Sequence, residues 1–240
     1  MDCIKKNAMD AKQILDDFFR EWGINDIKRF RSMIHLRPAA DQITIVSTLP
    51  GTPMTGMSVK LAQLRDVLPE LSGAIFFKNM EDVLDKLKSL GFKKQRMGYT
   101  REEKIQSILI HDMVVRPQEY EGIHFVASEL DLSGFGGKDG KQRADIIGFK
   151  DDVLYDIEIK SEWFMMGTVS QAKGNVDFLR AHLPEYAERL AEFPNFHMGR
   201  IRDVQGIAVV PWLASINGSL EKYGAKHEIA LWFLEYGYMA

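Results

Sequence analysis

One cysteine, Cys3, stands in 240 residues. No internal disulfide is possible, and no zinc site can be built from cysteines. Long apolar runs are missing too, since no stretch approaches the ~20 residues a helix needs to cross a bilayer. The start of the chain, Met1-Asp2-Cys3-Ile4-Lys5-Lys6, lacks the apolar centre of a secretory leader. These absences point to a cytoplasmic protein without a membrane partner. There is neither a glycine-rich phosphate loop nor a Gly-X-Ser-X-Gly elbow, which argues against nucleotide-driven motors and serine hydrolases. The histidines at 35, 111, 124, 182, 197 and 227 show no metal-ligand spacing. Net charge is only −3, so global basicity gives no support for nucleic-acid binding.

The chain holds 45% apolar and 27% charged residues, the balance of an ordinary globular protein. Its charge is unevenly spread. Residues 1–100 carry 16 Lys and Arg against 12 acids, and residues 101–240 carry 15 against 22. An acidic half suits a cation, and a more basic half suits phosphates.

The informative stretch is residues 143–160. Two β-prone runs, 144–149 and 153–159, flank Asp151-Asp152, which reads as a two-residue hairpin turn. Residues two apart on a strand share a face. Val153, Tyr155, Ile157 and Ile159 therefore form one apolar side, and Asp156, Glu158 and Lys160 load the other with charge. With Lys150 paired to Val153, counting outwards sets Asp145 across from Glu158. Opposed carboxylates destabilise a sheet unless a cation lies between them. Carboxylate oxygens, a backbone carbonyl such as that of Ile159 and waters suit Mg²⁺ or Mn²⁺. Lys160, two residues beyond Glu158, is placed to orient or deprotonate an attacking water, which is a constellation for phosphodiester hydrolysis.

At these residues the chain resembles the PD-(D/E)XK nuclease superfamily, whose signature is an Asp on one strand of a hairpin and Glu-X-Lys on the next. The matching residues are Asp145 and Glu158-Ile159-Lys160; Ala144 stands where the family has proline. The resemblance implies a restriction-endonuclease-like α/β core, a mixed sheet flanked by helices, over about residues 100–236. It implies a Mg²⁺-dependent nuclease acting on DNA, in which Asp145, Glu158 and the Ile159 carbonyl hold metal. It also points to Glu102 as an extra acidic ligand from the preceding helix, with Glu103 beside it, and to Gln171 at the scissile phosphate or its water. Glu129, on the strand before the hairpin, is a second candidate for that ligand. Lys138, Lys141, Arg143 and Lys173 are candidate phosphate contacts. Nucleases of this type commonly dimerise, which makes a homodimer a candidate assembly. The rival readings are a solvated edge hairpin with a surface ion pair, or a catalytically inactive nuclease-fold module that binds nucleic acid or a protein.

The flanking elements follow from periodicity. Apolar spacing marks helices over 8–22, 58–71 and 79–91, with a strand at 42–48, so residues 1–98 read as a mainly helical region. Lys28, Arg29, Arg31 and Arg37 fit either a phosphate backbone or a solvated helix face. In the second region, residues 99–240, Thr100 caps a helix closed by Pro117, and a strand covers 122–132. A long helix with an inner stripe from Val169 to Leu190 follows the hairpin. A strand at 204–210, a helix at 213–223 stopped by Gly224 and a strand at 228–234 complete the order.

Overall fold

The computed structural model describes residues 100–132, 143–160, 165–190, 200–211 and 218–234, together with four strands and scattered helical positions before residue 100. The chain divides into two compact units, Met1–Glu121 with Ala191–His197, and Gly122–Leu190 with Met198–Ala240.

The first unit contains a four-stranded antiparallel sheet in the order β1-β2-β3-β4, formed by Ile34–Pro38, Gln42–Ser47, Thr55–Lys60 and Gln95–Arg96. β3 corrects the helix read from residue 58. Met57 pairs with Ile45 and Val59 with Ile43, so strand pairing holds residues whose spacing alone fits a helix. Most of 8–22 and 79–91 lies outside the described residues. Arg31 is half-buried. Its guanidinium lies 5.4 Å from the centre of the buried Phe19 ring, and burial lowers its pKa to about 10 against the raising effect of Asp16.

Helix α1, Arg101–Val115, also belongs to this unit. Thr100 and Glu103 close its first turn as a reciprocal capping box, with bonds of 3.2 Å from Glu103 N–H to Thr100 Oγ1 and 2.9 Å from Thr100 N–H to Glu103 Oε2. Pro117 ends it, opening a single 3₁₀ turn, Pro117–Tyr120. The buried Asp112 accepts from Arg116 at 2.7 Å and from the Tyr120 hydroxyl at 3.2 Å.

The second unit is built on a mixed five-stranded sheet in the order β5-β6-β7-β8-β9, from His124–Asp131, Arg143–Lys150, Val153–Ile159, Asp203–Pro211 and Ile229–Leu234. The first three strands are antiparallel; β7, β8 and β9 run parallel. Parallel neighbours need a crossover. Helices α2, Met165–Ala181, and α3, Leu183–Leu190, make the first one, and α4, Ser219–Lys226, makes the second. α2 packs on β7 and β8, α4 packs on β9, and the two helices touch. A 3.0 Å hydrogen bond between Ser170 Oγ and the Tyr223 hydroxyl joins them. The single long helix read through Leu190 is divided at His182, whose N–H bonds back to the Phe178 and Leu179 carbonyls. Among the described residues no helix is long and apolar enough to cross a membrane.

Gly224 does not stop α4; it lies within it. The glycine is there because the helix approaches β9 closely. A Cβ at 224 would sit 2.9 Å from the Ile229 carbonyl oxygen and 3.3 Å from Leu231 Cγ. Alanine favours a helix over glycine by about 1 kcal/mol, yet the backbone oxygen cannot yield as a side chain does. Gly224→Ala is therefore expected to destabilise the protein by about 1–3 kcal/mol in urea unfolding. A variant as stable as the wild type would show that the helix can step away from the sheet.

Candidate functional site

β7 is the middle strand of five, so both of its edges are paired, and its side chains from Asp156 to Ile159 are buried. Leu154, Asp156, Ile157, Glu158 and Ile159 are all buried, with Asp156 and Glu158 at 0% exposure. This overturns the reading of a solvated edge hairpin. The strand's central position, which no local pattern reveals, puts its charged side under α2.

The turn and register of the hairpin are those the sequence implies. Lys150 pairs with Val153, and the ladder continues to Ile146 opposite Ile157. Asp151 and Asp152 take φ values of 48° and 66°, the left-handed pair of a type I′ turn. Arg202 secures that turn, with its N–H on the Asp152 carbonyl at 2.8 Å and its Nε on the Asp152 carboxylate at 2.9 Å.

Past Ile146 and Ile157 the strands are joined through side chains. The next position sets Asp145 opposite Glu158. There Asp145 N–H donates to Glu158 Oε1 at 3.4 Å, and Ile159 N–H donates to Asp145 Oδ2 at 2.8 Å. Lys160 Nζ donates to the Ile159 carbonyl at 2.9 Å and stands 4.0 Å from Asp145 Oδ2. Asp145, Glu158, Ile159 and Lys160 thus form one cluster. Asp145 and Lys160 keep part of their side chains in solvent, at 22% and 31% exposure. The cluster opens outward on that side and is buried at Glu158.

Two residues of this site escape the sequence reading as functional groups. Asp156 lies on the charged side of β7, and Asn175 of α2 donates from Nδ2 to Glu158 Oε1 at 2.6 Å and to Asp156 Oδ1 at 3.3 Å. The signal for Asn175 is an amide set at helical spacing among Ala172, Val176 and Leu179, inside an otherwise apolar stripe. Asp156 Oδ2 and Glu158 Oε2 are buried without a hydrogen-bond partner among the described residues. On the neighbouring β8, Asp156 registers with Gly206 and Glu158 with Ala208, both small residues. Burial pushes both carboxyls well above their ordinary values. The Asn175 amide opposes the rise at Asp156, and the adjacent Asp156 and Asp145 add to it at Glu158.

Glu129 also belongs to this level of the sheet. The pairs Ser128 with Ile146 and Leu130 with Ala144 bracket it opposite Asp145. Its φ is 53°, a left-handed conformation inside a strand that costs about 1–3 kcal/mol. Glu129 Oε2 lies 3.7 Å from Arg143 Nη1, so the exposed Arg143 faces an acid. Gln171 is half-buried on α2, and Lys173 on the same helix pairs with Asp177 one turn on. Glu102 lies in the first turn of α1, in the first unit. Lys138 and Lys141 lie outside the described residues, as do residues 161–164.

No three His, Cys, Asp or Glu side chains among the described residues converge into a ready metal-binding group. The donors present are all oxygens: the Asp145 carboxylate, the uncommitted Glu158 Oε2 and the Ile159 carbonyl. That set fits a hard divalent cation that uses one or two carboxylates and completes its shell with water or phosphate. No protein-family model, curated protein or solved structure matches the chain.

The two raised carboxyls make stability fall with pH. A carboxyl whose pKa is higher in the fold binds more protons folded than unfolded, so stability declines once pH passes the ordinary values of 3.8 and 4.5. The decline continues until the folded-state values are passed. Chelator-treated protein is expected to unfold at lower urea at pH 8 than at pH 5, and Glu158→Gln should narrow that difference. Parallel pH profiles for the two proteins would count against the burial of charge at Glu158.

Proposed function

We propose that the protein is a divalent-metal-dependent nuclease that hydrolyses phosphodiester bonds, with DNA as its substrate. The observation that carries this reading is the junction of Asp145, Glu158, Ile159 and Lys160 at the end of the central hairpin, where carboxylates and a carbonyl gather beside one ammonium. The resemblance of Asp145 and Glu158-Ile159-Lys160 to the PD-(D/E)XK signature supports it, and the mixed sheet is compatible with a core of that kind. Since many activities share one fold, the site residues carry the proposal.

Asp145, Glu158 Oε2 and the Ile159 carbonyl would hold Mg²⁺ or Mn²⁺. When bound, the cation supplies charge stabilisation at the scissile phosphate and lowers the pKa of a coordinated water. Lys160 offsets Asp145, and its Nζ orients the attacking water. The half-exposed edge at Asp145 and Lys160 admits the phosphate, and the buried side keeps Glu158 fixed. Gln171 and Arg143 are the further candidates for contacts around the phosphate, and Glu129 is a candidate for the extra acidic ligand. A second reading, a nuclease-fold module that binds nucleic acid without cleaving it, is favoured by one contact: Lys160 already satisfies the Ile159 carbonyl.

Cleavage of DNA should require Mg²⁺ or Mn²⁺ and vanish in chelator. Asp145→Ala and Lys160→Ala are each expected to lower the rate on the order of a hundredfold or more, with circular dichroism confirming an unchanged fold. Cleavage that persists in both variants would rule out this assignment of roles. Salt-dependent DNA binding that survives chelator and Asp145→Ala, with no cleavage, would select the second reading.

A further inference from the structure

The inner face of α2 is apolar at Val169, Ala172, Val176 and Leu179, all buried, and Asn175 sits among them with 0% exposure. An amide in that position costs on the order of 1–3 kcal/mol if its hydrogen bonds are unmade. Those of its nitrogen are made to β7. A single nitrogen, Nδ2, donates to Glu158 Oε1 at 2.6 Å and to Asp156 Oδ1 at 3.3 Å. An amide nitrogen has two hydrogens and the amide oxygen has none. Rotated by half a turn, the side chain would set its oxygen against two carboxylates. Asp156 therefore fixes which way the amide faces, and the amide in turn holds Glu158.

Holding has a directional consequence. Glu158 Oε1 takes hydrogen bonds from Asn175 and from Asp145 N–H, whereas Oε2 takes none among the described residues. One oxygen is tied from both sides, and the other keeps its lone pairs. A glutamate side chain has three rotatable torsions and no fixed aim of its own, so a two-point restraint on one oxygen determines where the second can be.

We propose that Asn175 is a positioning residue for the candidate cation site, restraining Glu158 through Oε1 so that Oε2 is the oxygen presented to a divalent cation. The proposal rests on the reading of Asp145 and Glu158 as metal ligands. Asn175 does not touch the cation or the substrate; it acts through Glu158, with Asp156 setting its orientation. The close approach of α2 that this requires is built into β8. A Cβ at Gly206, beside Asp156, would meet Ile229 Cδ1 of β9 first and would then sit 3.0 Å from Val176 Cγ2 and 3.7 Å from Ala172 Cβ of α2.

The test is calorimetric titration of the full chain with Mn²⁺ alone, with the thermal unfolding of each metal-free protein recorded beside it. Wild type is compared with Glu158→Gln, Asn175→Ala, Asn175→Leu and Asn175→Gln. Asn175→Leu keeps the branched shape of the side chain and serves where the alanine variant does not fold. Wild type should bind and Glu158→Gln should not. Loss of the amide donors in Asn175→Ala or Asn175→Leu should weaken binding about 10–100-fold, the effect typical of groups that orient a ligand, and Asn175→Gln should recover part of it. A merely structural Asn175 would lower the thermal midpoint and leave affinity within about twofold of wild type, far less than removal of an orienting group produces. That result in either folded variant overturns the positioning role and leaves the cation site standing. Absence of Mn²⁺ binding in wild type, or binding that Glu158→Gln does not change, overturns the site and the proposal together.

Discussion

The second unit depends on how the sheet accommodates two carboxyl groups, Asp156 and Glu158, buried on its central strand. Removing a carboxylate from water is among the most expensive changes in a fold, and the group responds by taking up a proton, by pairing, or by meeting a cation. The surroundings bear the mark of that constraint. Gly206 and Ala208 stand beside the two acids on β8, Asn175 comes down from α2 between them, and Lys160 lies at the rim. A sheet built for stability alone would fill those positions with branched apolar side chains. Fully burying one such residue contributes about 1.5–3 kcal/mol.

Strain gathers around the same hairpin. Three of the non-glycine residues with left-handed φ, Glu129, Asp151 and Asp152, lie in the hairpin or on the strand paired beside it. The pair at 151 and 152 makes a tight turn whose twist suits the hairpin, and Arg202 secures it from outside. Glu129 has no such turn to make. It lies within β5 opposite Asp145, and the side-chain bonds between β6 and β7 begin at that same level. Non-glycine residues held in this conformation cluster at functional sites because only a surrounding fold that over-determines them keeps them there. The position of Glu129 in the sheet thus adds to the weight that its charge alone would carry.

Much of the second unit can be read in the sequence, and the reasons are local. Alternation of Val153, Tyr155, Ile157 and Ile159 defines β7, the two aspartates define its turn, and together they fix the register that brings Asp145 to Glu158. The capping box at Thr100 and Glu103 and the stop at Pro117 likewise define α1 from neighbouring residues. What cannot be read is the approach of one element to another. Gly224 has the look of a helix stop, but its role is to let α4 touch the Ile229 carbonyl. Asn175 resembles a tolerated polar residue until α2 is set over β7. The apolar stripe runs on past His182 although the helix does not, because the stripe records the face that is buried and not the continuity of the backbone. In the first unit, β3 is specified by pairing with Ile43 and Ile45, which are distant in sequence.

The location of the cluster follows from the unequal neighbours of β7. On the β8 side the strand stays bonded to its end, and Lys160 N–H still reaches the Val209 carbonyl at 3.3 Å. On the β6 side the ladder gives out at Ile157, two residues before the β8 pairing ends at Ile159, and the Ile159 N–H turns to the Asp145 carboxylate. A strand released on both sides would fray and scatter its side chains; a strand bonded on both sides would commit every backbone group. Held on one side only, β7 keeps Glu158 and Lys160 at fixed positions while placing a carboxylate, a carbonyl and an ammonium where the sheet has no further use for them. Antiparallel pairing on one flank and parallel pairing on the other is what produces that asymmetry, so the mixed topology of the sheet is itself part of the site.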